Sequence, residues 1–232
     1  RPRDEKHTWG WARSEVLAAA LQAGMLLVIC VMVAWEGAWR LASPPEVEAG
    51  PMLLVGVIGL VANVVSLAIL AGGREANLNM RAAFLEVAND ALGSLAVIVA
   101  AGAEWAFGWA RADAVASLLI AVLMAPRALT LLRRSVAILM EETPASVDMA
   151  KLRAHMLGVD GVLDVHDLHV VAVSSHLVTV TAHVTVTHEA NGPSRDRIIH
   201  ELGECACHHF PIAHSTFQLE CPEHASHEHM EH

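Results

Sequence analysis

The stretch AAFLEVANDALGSLAVIVAA, Ala82 to Ala101, is apolar apart from a few small polar residues and two carboxylates, Glu86 and Asp90, four residues apart. An α-helix turns ~100° per residue, so positions four apart lie within ~40° on one face. The run is long enough for a helix that crosses a bilayer, where a pair of ionisable residues marks a lined cavity or a paired partner. Divalent cations suit such a pair, because oxygen ligands and compensating positive charge lower the cost of burial. The alternative is a Glu86 that sits near a helix end and merely extends its carboxylate to the interface. Asp90 lies a turn deeper, with no Lys or Arg within the run to neutralise it. Two carboxylates leave a coordination shell incomplete. Asn63 and Asn89 are candidates to add ligands, although amides on apolar helices equally serve helix–helix hydrogen bonds. Ala91, Gly93 and Ser94 allow a neighbouring helix to approach closely.

Three further apolar runs flank this one, giving spans at about 14–39, 51–71, 82–103 and 112–132. The 232 residues are 54% hydrophobic, with a mean hydropathy of +0.44. This composition exceeds what a soluble domain needs for its core and predicts an α-helical multi-pass membrane domain over 1–140. The breaks SPPEVEAGP, GGREANLNM and EWAFGWARAD are turn-like. Arg1, Arg3, Lys6 and Arg13 precede the first run, Arg74 and Arg81 follow the second, and Arg133 and Arg134 follow the fourth. The alternate loops carry only Arg40 and Arg111, the latter between Trp105 and the fourth run, beside Trp109. Both ends are therefore expected in the cytosol. No signal peptide is visible, and the chain opens at Arg1 without a methionine, as a fragment would.

Charge separates the rest of the chain from this domain. Eleven acids balance eleven bases through Met140, whereas fourteen acids face four bases from Glu141 onward, which accounts for the net charge of -10. An acidic region without clustered bases argues against a nucleic-acid partner. Fourteen of the fifteen histidines follow Lys151. Cys30, Cys205, Cys207 and Cys221 make no disulfide framework: Cys30 lies in an apolar run, and Cys205 and Cys207 are too close to bridge on a regular element.

After Glu141 the period changes. PASVDMAKLRAHMLGV reads as a helix, VLDVHDLHVVAV and HLVTVTAHVTV as a hairpin joined by a Ser-Ser turn, 195–208 as a second helix, and HSTFQLE as a last strand. This α-β-β-α-β order predicts a small α+β two-layer domain over 141–220, with helices on one face of a sheet. A polar, His-rich tail fills 221–232. Strand period places His166 on one face and Asp167 with His169 on the other. His183 lies in the facing strand, and His214 and Glu220 flank the last one. Taken singly, each histidine suits a surface or hydrogen-bonded role; taken together, imidazole and carboxylate at these positions suit zinc. Cys205 and Cys207 lie ~200° apart on a helix and cannot share an ion there. Cys221, His224, His227 and His229 suit loose capture of soft ions, or simply a solvated tail.

These residues resemble a known family. KHTWGWARSEVLAAALQAGMLLV, ASPPEVEAGPMLLVGVIGLVANVVS, NLNMRAAFLEVANDALGSLAVIVAA and VHDLHVVAV with VTAHVTV are similar, in order, to the cation diffusion facilitator family of proton-coupled zinc transporters. The resemblance implies homodimers in which a metallochaperone-like cytosolic domain follows six helices, and in which a divalent ion leaves the cytosol in exchange for protons. It makes the four spans the family's third to sixth, the first two being absent. It places Asp90 at the Asp of the family's H-x-x-x-D pair and Glu86 at the His. Glu for His exchanges a borderline nitrogen for a hard oxygen, which admits Mn2+, Co2+ or Fe2+ beside Zn2+. The cytosolic ligands implied are His166, His183, His214 and Glu220, with His169, Cys221 and His224 as accessories. Alternating access follows, protons competing with metal for the Glu86 and Asp90 carboxylates, and cytosolic metal bridging two tail domains.

The expected location is a plasma or inner membrane. The rival expectation is a membrane-tethered metal sensor, or a partner subunit with no transport of its own. No nucleophile–base pair or phosphate-cradling glycine motif is evident, so an enzyme is not expected.

Overall fold

The computed structural model describes residues 4–43, 49–72, 78–188, 190 and 192–225. Arg1, Arg3, Arg74, His227 and His229 lie outside them. Four long helices come first: α1 (Ala12–Ala42), α2 (Ala49–Ala71), α3 (Leu78–Phe107) and α4 (Ala112–Leu139). A small domain follows with α5 (Met149–Leu157), β1 (Val162–Ser174), β2 (Leu177–Val186), α6 (Gly192–His209), β3 (His214–Glu220) and α7 (Pro222–Ala225). The helices overrun the expected spans at most of their ends, because an apolar stretch locates the hydrocarbon crossing and not the helix ends.

The chain forms two compact units, Ala23–Thr130 on one hand, and the segment before Ala23 with that from Leu131 onward on the other. All four long helices meet the length and hydropathy of a membrane crossing. They turn apolar side chains outward, among them Trp35, Ile69, Trp105 and Phe107, which in water would be an aggregation surface and in lipid is the solvated one. Small residues hold the first unit together. A Cβ on Gly56 would stand 2.9 Å from Ile98 Cγ1 and one on Gly59 3.0 Å from Ser94 Oγ, so α2 and α3 meet where α2 has no side chain. Asn63 Nδ2 donates to Ser94 Oγ at 3.3 Å in the same seam.

In the second unit α4 ends by a Schellman pattern, Glu142 N–H donating to Ala137 O at 2.9 Å. Glu141 takes the left-handed position at φ 58, and its carboxylate accepts from Arg13 Nη2 at 2.7 Å. Asp148 caps α5 by accepting from Lys151 N–H, and this bond holds its carboxyl below the usual range. Gly161, at φ +96, makes the turn into β1, where any side chain would be strained and would meet Ile198.

The sheet has order β1-β2-β3, with β2 antiparallel to β1 and parallel to β3. Val165, Val170, Val180, Ala182 and Val184 line its inner face and pack with Leu152 and Met156 of α5 and Ile198, Leu202 and Ala206 of α6. This is the expected two-layer domain. The expected strict alternation along β1 fails: between His166↔His183 and His169↔Thr181 β1 advances three residues while β2 advances two. One extra residue resets the phase, so Val165 and Val170 both reach the core although five apart, and His166 and His169 share the outer face. Asp167, at φ 48, takes the left-handed conformation at the bulge, one that Asp tolerates better than most residues.

All four cysteines are free. Burial pushes the Cys205 thiol up, whereas Cys207 is exposed. Maleimide at neutral pH is therefore expected to label Cys207 about tenfold or more ahead of Cys205, read by peptide mass spectrometry, with the difference lost on denaturation. Equal rates in the folded protein would contradict the placement of α6.

Candidate metal centres

The outer face of the sheet carries the tightest cluster of metal-ligating atoms. In antiparallel register His166 faces His183, and in parallel register β3 brings Glu220 beside Thr185, two residues further along β2 on the same face. His166, His183 and Glu220 each offer one ligand atom, and these atoms lie within 4.8 Å of one another. Glu220 Oε1 is 3.1 Å from His166 Nε2 and 3.4 Å from His183 Nδ1, and the two rings meet edge to face at 5.6 Å. The Glu220 side chain is only 2% exposed.

Neither Glu220 oxygen accepts a well-formed hydrogen bond among the described residues. A buried carboxylate is normally met by hydrogen-bond donors or by a cation. Two imidazole nitrogens and one carboxylate oxygen are a donor set that zinc and its borderline neighbours take, so the residues fit a divalent ion.

Asp167, which the strand period sets apart from His166, stands against the cluster. Its Oδ1 pairs with His169 Nε2 at 2.8 Å and its Oδ2 lies 3.9 Å from His183 Nε2. His169 therefore reaches the cluster through Asp167. A carboxylate beside the outer nitrogen of a histidine that could ligate a metal is placed to orient the ring, here at ion-pair and not hydrogen-bond range. The positive φ that allows this arises from the bulge, which strand alternation cannot reveal.

His214 falls outside the cluster. It begins β3 while Glu220 ends it, and six extended residues are roughly 20 Å. Its ring stands edge-on to Trp9 at 5.2 Å. A fourth ligand from His214 within one chain is thereby corrected by simple strand length. His224 Nε2 lies 3.9 Å from Glu220 Oε2, and the half-buried Cys221 is adjacent to Glu220 in sequence.

In the membrane unit Glu86 and Asp90 occupy successive turns of α3 as expected. Glu86 Oε1 makes an ion pair with Arg127 Nη2 of α4. A cation that the run Ala82–Ala101 itself lacks thus comes from the next helix. Asp90 is half-buried, and its carbonyl accepts from Ser94 Oγ at 3.2 Å. Asn63 serves the α2–α3 seam, and Asn89 lines a cavity of about 140 Å³ with Gly93, Met124 and Arg127.

Four membrane-length apolar helices followed by a small α+β domain that carries a candidate metal centre define a multi-pass membrane protein with a cytoplasmic C-terminal domain. Residues 1–140 match the cation efflux transmembrane domain and residues 144–221 the cation efflux protein cytoplasmic domain. The chain belongs to the cation efflux family, a family of transporters. It is 38% identical over 220 residues to the metal cation efflux system protein CzcD of Cupriavidus metallidurans, covering 95% of this chain and 69% of that protein. It is 38% identical over 222 residues to the zinc transporter ZitB of Escherichia coli, covering 95% and 70%. The cadmium, cobalt and zinc/H(+)-K(+) antiporter of Bacillus subtilis is 33% identical over 219 residues, covering 94% and 70%.

Replacing Glu220 by Gln is expected to weaken zinc binding at this centre by about a hundredfold, and Asp167 by Ala by about tenfold. His214→Ala should leave it unchanged. Isothermal titration on the full chain in detergent measures all three, and a loss in His214→Ala equal to that in Glu220→Gln would refute the ligand set.

Proposed function

We propose that the protein exports divalent cations, zinc foremost, from the cytosol in exchange for protons. The observation that carries this is the Glu86 and Asp90 pair on one face of a membrane-crossing helix. Carboxylates in that setting are retained where an ion passes. Cargo and protons compete for the same oxygens, so loading on one side and release on the other exchange one for the other as the helices alternate in access. The similarity to proteins named for zinc, cadmium and cobalt supports divalent cargo. The exchange of His for Glu at position 86 adds oxygen character and widens the range toward cobalt and manganese.

His166, His183 and Glu220 would hold a regulatory ion in the cytosolic domain, Asp167 orienting His183. A bound cation there supplies positive charge to the buried carboxylate and ties all three strands together. The side chains of His183 and Asp167, 25% and 32% exposed, leave the centre open on one side, where a second copy in a homodimer completes or bridges it. The family's cytoplasmic domain supports that assembly, and a plasma or inner membrane is the setting proposed for export from the cytosol. A second reading, a membrane-tethered metal sensor, is favoured by two separate observations, the preformed cytosolic cluster and a Glu86 already paired with Arg127.

Reconstituted vesicles separate the two. Zinc uptake that dissipates an imposed pH gradient is expected, reported by a metal dye and a pH dye together. Asp90→Ala should reduce it at least a hundredfold while leaving the helix content by circular dichroism unchanged. Retained uptake in Asp90→Ala would sink the transport site, and zinc binding without uptake by the parent would establish the sensor.

A further inference from the structure

The ion pair between Glu86 and Arg127 makes one proposed ligand unavailable in the arrangement observed. Three neighbouring features suit its opening. Arg127 lines the cavity between α3 and α4, together with Asn89, Leu92, Gly93, Ile120 and Met124, so the guanidinium borders open space. Gly93 is the small residue in that wall, with its nearest neighbour, Ile120 Cγ1, 4.0 Å from where a Cβ would stand. Pro126 precedes Arg127 inside α4 and lacks the N–H that would bond the carbonyl one turn back, which loosens the helix at that point. Its own carbonyl accepts from Thr130 Oγ1 at 2.8 Å.

We infer that Arg127 is a tethered cation that holds Glu86 when no metal is loaded, and that loading requires the guanidinium to leave the carboxylate for the adjacent cavity. This rests on the reading of Glu86 and Asp90 as the transport pair. The physical argument is charge balance. A lone carboxylate in a span is costly, and a guanidinium answers it with a directional, doubly donating partner that never loses its charge. A divalent ion that takes Glu86 must first displace that partner and then lie near it, so Arg127 opposes metal affinity. A low affinity at the carriage site favours release, and the tether neutralises Glu86 without a second ion, which leaves Asp90 to the exchanged proton. Arg127 is a positioning residue, since it acts on cargo through Glu86.

Competition from this part-exposed pair is expected to be about a factor of ten, because desolvation offsets much of the attraction. Arg127→Gln should therefore lower the half-saturating zinc concentration for vesicle uptake about tenfold and slow release, so that the maximal rate falls. Arg127→Lys keeps the charge but loses the planar fork, and should lower half-saturation about twofold to threefold. In a Glu86→Gln background the Arg127→Gln change should have no further effect on half-saturation. Each variant is checked for folding by size-exclusion and intrinsic tryptophan fluorescence, and if Arg127→Gln does not fold, Arg127→Lys carries the test. Half-saturation that is unchanged or raised in the folded Arg127 variants, or uptake unaltered by Glu86→Gln, would overturn the tether while Asp90→Ala remained inactive. Uptake retained in Asp90→Ala would instead overturn the transport site, and the tether with it.

Discussion

A carboxylate taken out of water must be answered by positive charge or by protons, and both candidate centres are built around that constraint. Glu220 is nearly fully buried on the outer face of a three-stranded sheet, with imidazole nitrogens as its nearest polar neighbours. Glu86 stands on a membrane-crossing helix and meets a guanidinium from the next one. Hydrocarbon packing alone would exclude both residues, because an apolar side chain of similar volume would cost nothing to desolvate. What their retention supplies is a place where a cation is more welcome than in its surroundings.

The fold around each carboxylate is arranged to make that place narrow. On the sheet, the register of three strands sets the ligand spacing, and the core of Val165, Val184, Leu152 and Leu202 on the other face fixes the register. A one-residue slip would send His166 to the core and Val165 to the outer face. The bulge at Asp167 reconciles two demands that simple alternation could not meet, since Val165 and Val170 both belong in the core and His166 and His169 both belong outside. In the membrane unit the equivalent role falls to missing side chains. Gly56 and Gly59 let α2 lie against α3 closely enough for Asn63 to reach Ser94, one turn beyond Asp90.

Much of this was legible because it follows from period. The carboxylate pair is visible in Ala82 to Ala101 because the helical repeat stacks residues four apart, and the two-layer domain because alternation and turn signals bracket short strands. What depends on a long-range meeting was not. Arg127 lies 41 residues from Glu86; a base inside a span signals a partner, but nothing in the sequence spacing says which. His214 shared composition with the ligands yet stands at the wrong end of its strand, a distinction that strand length alone could have drawn. Asp167 was assigned the wrong face because a bulge adds one residue without any sequence mark stronger than an Asp able to adopt positive φ.

The two centres differ in donor chemistry, and that difference has a direction. The membrane pair offers hard carboxylate oxygens, which discriminate weakly among small divalent ions and hold them largely through charge. The cytosolic cluster offers two nitrogens to one oxygen, a set that favours zinc and cobalt over manganese and magnesium. If the same ions visit both, discrimination by ligand type resides chiefly in the cytosolic centre, and the carriage pair is free to bind loosely. Loose binding is what turnover requires, since an ion held as tightly as a structural zinc would not leave. On the proposed reading, an Arg127 that opposes loading would push the Glu86 and Asp90 pair further toward release, and a buried Glu220 whose oxygens accept no well-formed hydrogen bond among the described residues would push the cytosolic cluster toward retention. On that reading, affinity would be divided between the two places by how each carboxylate is answered when the metal is gone.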